Sequence, residues 1–294
     1  METNPAFTEH YVPRDQGRVY ARDYPGVGPA FVLMHGFPDN LHIWDDILPY
    51  LAASGRRVVT FDFLGFGASD KPANGRYSFA QQLGDLEAVV AALALGPVVP
   101  VAHDASGPAA LNYALAHPAG TASVIMLNSA YAEDGTVRWP EMITLFATAS
   151  MAPLAMAIAQ SPAQFGWLLT WQQAGFRDPL PEAQKAHFTD VMAPLIRDNF
   201  VNQPSSGPAF VQLAAQFFDA HAENAKRVPD LQAMDIPVHL IWGRYDPYIT
   251  VAVAERRLTQ LKNATLTVIE GGHWLQSDAP ALVAQAMLSK PSQS

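Results

Sequence analysis

Six short apolar runs constrain this chain more than any other feature. They are "AFVLMHG" (30–36), "RRVVTFDFLGFG" (56–67), "PVVPVAHD" (97–104), "ASVIMLNS" (122–129), "PVHLIWGRYD" (237–246) and "ATLTVIEGGH" (264–273). Each reads as a strand buried on both faces. Helical patterns fall between most of them: "YSFAQQLGDLEAVVAALAL" (77–95), "GPAALNYALAHP" (107–118) and "TVAVAERRLTQL" (250–261). Strands alternating with helices predict an α/β fold, a mostly parallel central sheet with helices on both faces. At 294 residues, 49% of them hydrophobic, the chain is long enough to bury a large core.

The stretch 132–230 breaks the rhythm. It holds no obvious buried strand and reads as helices punctuated by Pro and Gly. Its aromatic residues Phe165, Trp167, Trp171, Phe176, Phe217 and Phe218 exceed what a thin shell needs. The expectation is a helical cap over 132–230, inserted into a core formed by 1–131 and 231–294, with an apolar pocket between them.

Several function classes are disfavoured by composition. A formal net charge of −9 does not suit a polyanion, so nucleic acid is not an expected partner. The chain has no cysteine, hence no disulfide, no thiolate metal site and no cysteine nucleophile. Its nine histidines show no paired ligand spacing, so no metal is expected. "GFGAS" lacks the lysine of a phosphate loop, and no cofactor is expected. The first residues lack an apolar signal core, and no apolar run is long enough to span a bilayer. A cytoplasmic protein without membrane contact is the default expectation.

In open α/β sheets reactive groups gather at the carboxyl ends of strands. Four runs end in such groups: "MHGFP" (34–38), "AHDAS" (102–106), "GRYDPY" (243–248) and "GGHW" (271–274). Taken singly, each is as consistent with an ordinary strand-to-loop turn. Together they place an elbow, an acid and a histidine in chain order, the last two on the final two strands. This arrangement resembles the α/β-hydrolase family, whose nucleophile sits on a sharp strand-to-helix turn followed by an acid and then a histidine. The turn needs small residues two positions before and after the nucleophile. Centring it on Asp104 gives Ala102 and Ser106, which fit; centring it on Ser106 gives Asp104 and Pro108, which do not. The competing role for Asp104 is a helix N-cap.

A carboxylate is ionised near neutral pH and can attack a saturated, polarised carbon directly. Within the family this pattern resembles haloalkane dehalogenases, fluoroacetate dehalogenases and epoxide hydrolases. The segments "HGFPDNLHIWDDILPYL", "FDFLGFGASDKP", "YDPYI" and "GGHWLQSDAP" carry the likeness over nearly the whole chain. By that resemblance Asp104 is the nucleophile, His273 the base and Asp246 the acid that orients it. The N–H groups of Phe37 and Ala105 would form the oxyanion hole.

The leaving group is expected to be read by the cap. Epoxide hydrolases use cap tyrosines, and 132–230 contains none. Trp167, in "FGWLLTWQQAGF" (165–176), stands where the resemblance to fluoroacetate dehalogenases places a tryptophan. Its indole N–H suits a departing halide, which needs no proton; plain packing is its other role. Trp171, one helical turn on, could share that face. Ala105 replaces the tryptophan of many haloalkane dehalogenases, and the arginines that clamp fluoroacetate are missing from "ASGPAALN", leaving Arg138 or Arg177 for a carboxylate. Further donors would have to come from His103, Tyr248, Asn40 or His187. The expectation is therefore a hydrolase that uses water to displace halide from a small, uncharged, largely apolar substrate. An epoxide hydrolase using His187 or Tyr248 as proton donor is the alternative, and a ligand-binding protein on a hydrolase scaffold the third reading.

Overall fold

The computed structural model describes residues 5–133 and 135–289. All six expected runs form strands, shorter than the runs themselves: β3 (Val27–Met34), β4 (Arg56–Phe61), β5 (Val99–His103), β6 (Val124–Leu127), β7 (Val238–Gly243) and β8 (Ala264–Ile269). Two strands precede them, β1 (Thr8–Arg14) and β2 (Gly17–Tyr24), which the pattern of apolar runs does not reveal. They form an antiparallel hairpin, and β2 pairs antiparallel with β4. β1 buries only Val12, and β2 buries the short segment Val19–Ala21 and Tyr24. The sheet order is β1-β2-β4-β3-β5-β6-β7-β8, and every pair from β4 onward in that order is parallel. β8 departs from the expectation of two-sided burial. It is the edge strand, and only Ile269 is fully buried.

The core helices are α1 (Leu48–Ala53), α2 (Phe79–Ala92), α3 (Gly107–Ala116), α12 (Val251–Leu258), α13 (Leu275–Asp278) and α14 (Pro280–Leu288). Helices α2 and α3 pack on each other, as do α1 and α14. Ser78 caps α2, its hydroxyl accepting the Gln81 N–H at 3.1 Å. Between β6 and β7 the chain is helical among the described residues: α4 (Glu141–Ala147), α5 (Ala152–Ala159), α6 (Pro162–Arg177), α7 (Glu182–His187), α8 (Ala193–Val201), α9 (Gly207–Ala215), α10 (Phe217–Ala225) and α11 (Val228–Ala233). Among the described residues no single helix is long and apolar enough to cross a membrane.

The sheet order brings the ends of β3, β5, β6, β7 and β8 side by side. Hence residues more than two hundred positions apart in sequence meet at one edge. The helical block α4–α11 covers that edge, because its side chains and those of the strand ends line one shared cavity.

Candidate active site

The turn after β5 is the tightest feature of the site. Asp104 adopts φ 52°, a left-handed conformation that costs an L-residue energy and that Asp tolerates better than most. Close neighbours make room for it. A Cβ on Gly36 would stand 2.5 Å from the Asp104 side chain. Gly107 opens α3 against the Ser129 hydroxyl, where a Cβ has no space. Ser106 is sealed beneath the turn, with no exposed surface. Its Oγ accepts the His103 N–H at 2.9 Å and donates toward the His103 carbonyl at 2.8 Å. A serine so engaged reaches no substrate. Asp104 keeps a fifth of its side chain open and lines the cavity.

His273, in the loop after β8, lies between two carboxylates. Its Nδ1 is 2.7 Å from Asp246 Oδ2, and its Nε2 is 3.7 Å from Asp104 Oδ1. The other Asp104 oxygen, Oδ2, accepts the Phe37 N–H at 3.1 Å, and the Ala105 N–H also bonds this carboxylate. Asp246 Oδ1 accepts the backbone N–H groups of Tyr248 (2.9 Å) and Ile249 (3.0 Å). Asn128, at the end of β6, donates to Asp246 Oδ2 at 2.6 Å and accepts the Gly243 N–H at 2.7 Å. Asn128 escaped the sequence reading; its signal was a polar side chain at a strand end, where no acid was found.

The electrostatics follow from burial set against these partners. Burial pushes the Asp104 carboxyl up, opposed by His273 and by the Phe37 and Ala105 N–H groups. Burial works against ionised Asp246 too, but His273, Asn128 and the Tyr248 N–H outweigh it and hold the group below the usual carboxylate range. Burial alone would lower His273. The charge and hydrogen bond of Asp246, with Asp104 and Asp39 adding, override it and hold the imidazole at about 9. Asp39 is buried beside this group, and burial together with the Asp104 charge raises it to about 7. Its Oδ2 accepts the Trp274 indole N–H at 3.0 Å.

The cavity measures about 60 Å³. Its floor is Phe37, Asp104, Tyr248, His273 and Trp274; its roof comes from α4, α6, α8, α9 and α10, with Met142, Leu169, Phe176 and Phe210 prominent. Among the described residues, no charged side chain apart from Asp104 and His273 lines it. Arg138 pairs instead with Glu141 at 2.6 Å, and Arg177 with Asp178 at 2.6 Å. The one cationic group among the described lining residues is His273, which is already paired with Asp246 and faces Asp104. Among the described residues no group of three or more His, Asp or Glu is placed to hold a metal ion.

Several proposed halide or substrate contacts lie elsewhere. Trp167 is 67% exposed and Trp171 46% exposed, and neither lines the cavity. They do share a helix face, but it is the outer face of α6. The inner face is Phe165, Leu168, Leu169, Gln172, Gln173 and Phe176, spaced as one helical stripe. His103 lies wholly buried beneath the site, its Nε2 2.9 Å from the His273 carbonyl oxygen. His187 binds Asp46 (3.0 Å) and Ser277 (2.7 Å), outside the cavity. Asn40 donates to Asn199 of α8 at 3.3 Å and is likewise outside. Tyr248 does line the cavity. Its hydroxyl donates to Glu141 Oε2 at 2.8 Å and accepts from Gln172 Nε2 at 2.7 Å. Burial, with Glu141 adding, raises this phenol to about 12. Trp139 and Gln173 also line the cavity, and sequence reasoning missed both.

Replacing Trp167 with alanine is expected to leave kcat/KM within about twofold and stability within about 0.5 kcal/mol, as for a surface change away from a site. A loss beyond tenfold in steady-state assays would return Trp167 to the reaction.

A family model described as the alpha/beta hydrolase fold matches residues 29–280, and the chain belongs to that family. It is similar to the "Putative hydrolase LipZ" of Mycobacterium tuberculosis, with 28% identity over 95% of this chain and 94% of that one. It is 33% identical to "Epoxide hydrolase B" of the same species, over 38% of this chain and 32% of that one. It is 36% identical to "Fluoroacetate dehalogenase" of Burkholderia sp, over 35% of each chain.

Proposed function

We propose that this hydrolase works through a covalent alkyl ester on Asp104 and opens a small, uncharged epoxide to a diol. The observation that carries the first half is the division of labour between the two Asp104 oxygens. Oδ1 faces His273 and Oδ2 accepts the Phe37 N–H, with the Ala105 N–H also bonding the carboxylate. Oδ1 attacks the saturated carbon, the ring C–O bond breaks, and its electron pair stays on the departing oxygen. That oxygen takes the Tyr248 proton, and the phenolate is reprotonated from solvent. Even with its pKa raised to about 12, the phenol is more acidic than an alcohol, so the transfer is downhill.

Esterification removes one of the anions that keep His273 protonated. The imidazole pKa falls, its proton goes to solvent, and neutral His273 takes a proton from water. The resulting hydroxide attacks the ester carbonyl carbon, and the charge on Oδ2 meets the two N–H groups. Collapse expels the alkoxide, which takes the His273 proton to give the diol, and the Asp104 carboxyl then passes its proton to the imidazole, restoring the resting pair. Residues 132–230 act as the cap that excludes bulk water from this sequence.

Halide displacement from an apolar substrate is the second reading, and Gln173 favours it. This cavity residue uses one amide N–H on the Ala193 carbonyl at 3.0 Å, which leaves a second for a halide. Without Trp167 a halide has few other donors, because Trp139 and Trp274 spend their indole N–H groups on Glu133 and Asp39. The test is to assay diol formation from epoxides and halide release from alkyl halides, in wild type and Tyr248→Phe. Diol formation that drops about 10²-fold in the variant supports the epoxide reading. Halide release unaffected by the variant, with no diol formed, replaces it with the second.

A further inference from the structure

A second apolar space lies behind one wall of the cavity. It is a solvent-open surface groove of about 480 Å³ between α5, α6, the end of α8 and α9. Its banks include Met156 and Ala159 on one side and Pro208 and Val211 on the other, and no charged side chain lines it. The wall between the two spaces is made of phenylalanine rings. Phe210 is fully buried and faces the cavity. Its ring packs edge-on against Phe200 at 5.6 Å and Phe165 at 6.0 Å, and those two, 4.7 Å from each other, face the groove. On its other side Phe210 lies 5.8 Å from Phe37, whose N–H holds Asp104 Oδ2.

We propose that the groove is the subsite for the apolar tail of the substrate, entered when the Phe165–Phe200 pair parts. The substrate is then a long hydrocarbon chain with its reactive carbon near one end. Three observations converge on this occupant. The cavity ends at the phenylalanine wall, and the groove begins on its far side. Both spaces are apolar, so a chain crossing the wall meets no charge that must be desolvated. The approach from outside is equally free of charge. From Met142 to Phe176 there is no Asp, Glu, Lys, Arg or His, and Met151, Leu154 and Met156 stand exposed along α5. The location of the reactive carbon at Asp104 rests on the proposed function; binding of a chain in the groove does not.

Binding of inert straight-chain alcohols from butanol to dodecanol, followed by calorimetry, tests the subsite apart from the chemistry. Wild type and Asp104→Asn are expected to gain about threefold to fourfold in affinity per added methylene through the longer members. Val211→Trp fills the groove from one bank and Ala159→Trp from the other; either should flatten that gradient. Turnover of a long-chain terminal epoxide should fall at least about tenfold in the same variants, with a short-chain epoxide unchanged. A flat series in wild type, or an intact gradient in both folded groove variants, overturns the proposal. If Asp104→Asn keeps full turnover while the gradient holds, the covalent chemistry fails and the groove stands.

Discussion

Asp104→Asn should abolish turnover by at least about 10⁴-fold while the protein stays folded, the scale seen when the nucleophile of a covalent hydrolase is removed. The backbone reason for folding is direct. Asn tolerates the left-handed conformation that φ 52° imposes nearly as well as Asp does. The electrostatic reason has the same sign. Burial raises the Asp104 carboxyl, so its ionised form opposes folding near neutral pH, and a neutral amide removes that cost. The denaturation midpoint of Asp104→Asn should therefore equal or exceed that of wild type. Ser106→Ala should do the reverse. It leaves the His103 N–H and carbonyl beneath the turn without their partner, costing about 1–3 kcal/mol, and retains most of the activity. Inactive Ser106→Ala with active Asp104→Asn would exchange the two roles.

The His273→Gln variant should trap the intermediate. The first step needs the Asp104 carboxylate and the Tyr248 proton but no base, so alkylation proceeds, while the ester loses its base. Intact mass after incubation with substrate should rise by the mass of the bound substrate, close to one equivalent per chain, and the adduct should map to Asp104. Unmodified protein alongside normal turnover would refute the covalent route. Titration gives an independent reading of the same group. His273 should titrate near 9 in the resting wild type and lower in Asp104→Asn, because one of the anions that supports the imidazolium has gone. A histidine raised in the fold stabilises it fully below its unfolded value near 6.5, and that contribution disappears as pH rises through 9. Denaturation midpoints of wild type should fall across that interval, and the fall should be smaller in His273→Gln.

Most of the catalytic group was legible in the sequence because each member lies at or just past the end of a strand. An apolar run that stops at a polar residue marks both the strand and the place where its next side chain emerges. Asp104 follows β5 directly, while Asp246 and His273 lie three and four residues past the ends of β7 and β8, in the loops those strands lead into. Parallel strands in one sheet then point such residues the same way, so their meeting needs little beyond the fold class. Strands β1 and β2 were not legible by the same rule. β1 buries a single residue and β2 only a three-residue stretch between polar ones, too short to stand out as an apolar run.

The cavity walls were decided only by the tertiary structure. Helix α6 is apolar on nearly every side, so its sequence does not reveal which stripe faces inward. Trp167 and Trp171 read as pocket residues in the sequence, yet they lie on the outer face, while Gln172 and Gln173 lie on the inner one. Packing decides this, because Gln172 spends its amide on the Met142 N–H and the Tyr248 hydroxyl inside the block. The sequence by itself determined six of the eight strands, the turn after β5 and the residue types that carry charge. The rotation of each cap helix about its axis, and with it the donor that meets the leaving group, came from contacts among side chains distant in the chain. Local periodicity has no access to those contacts.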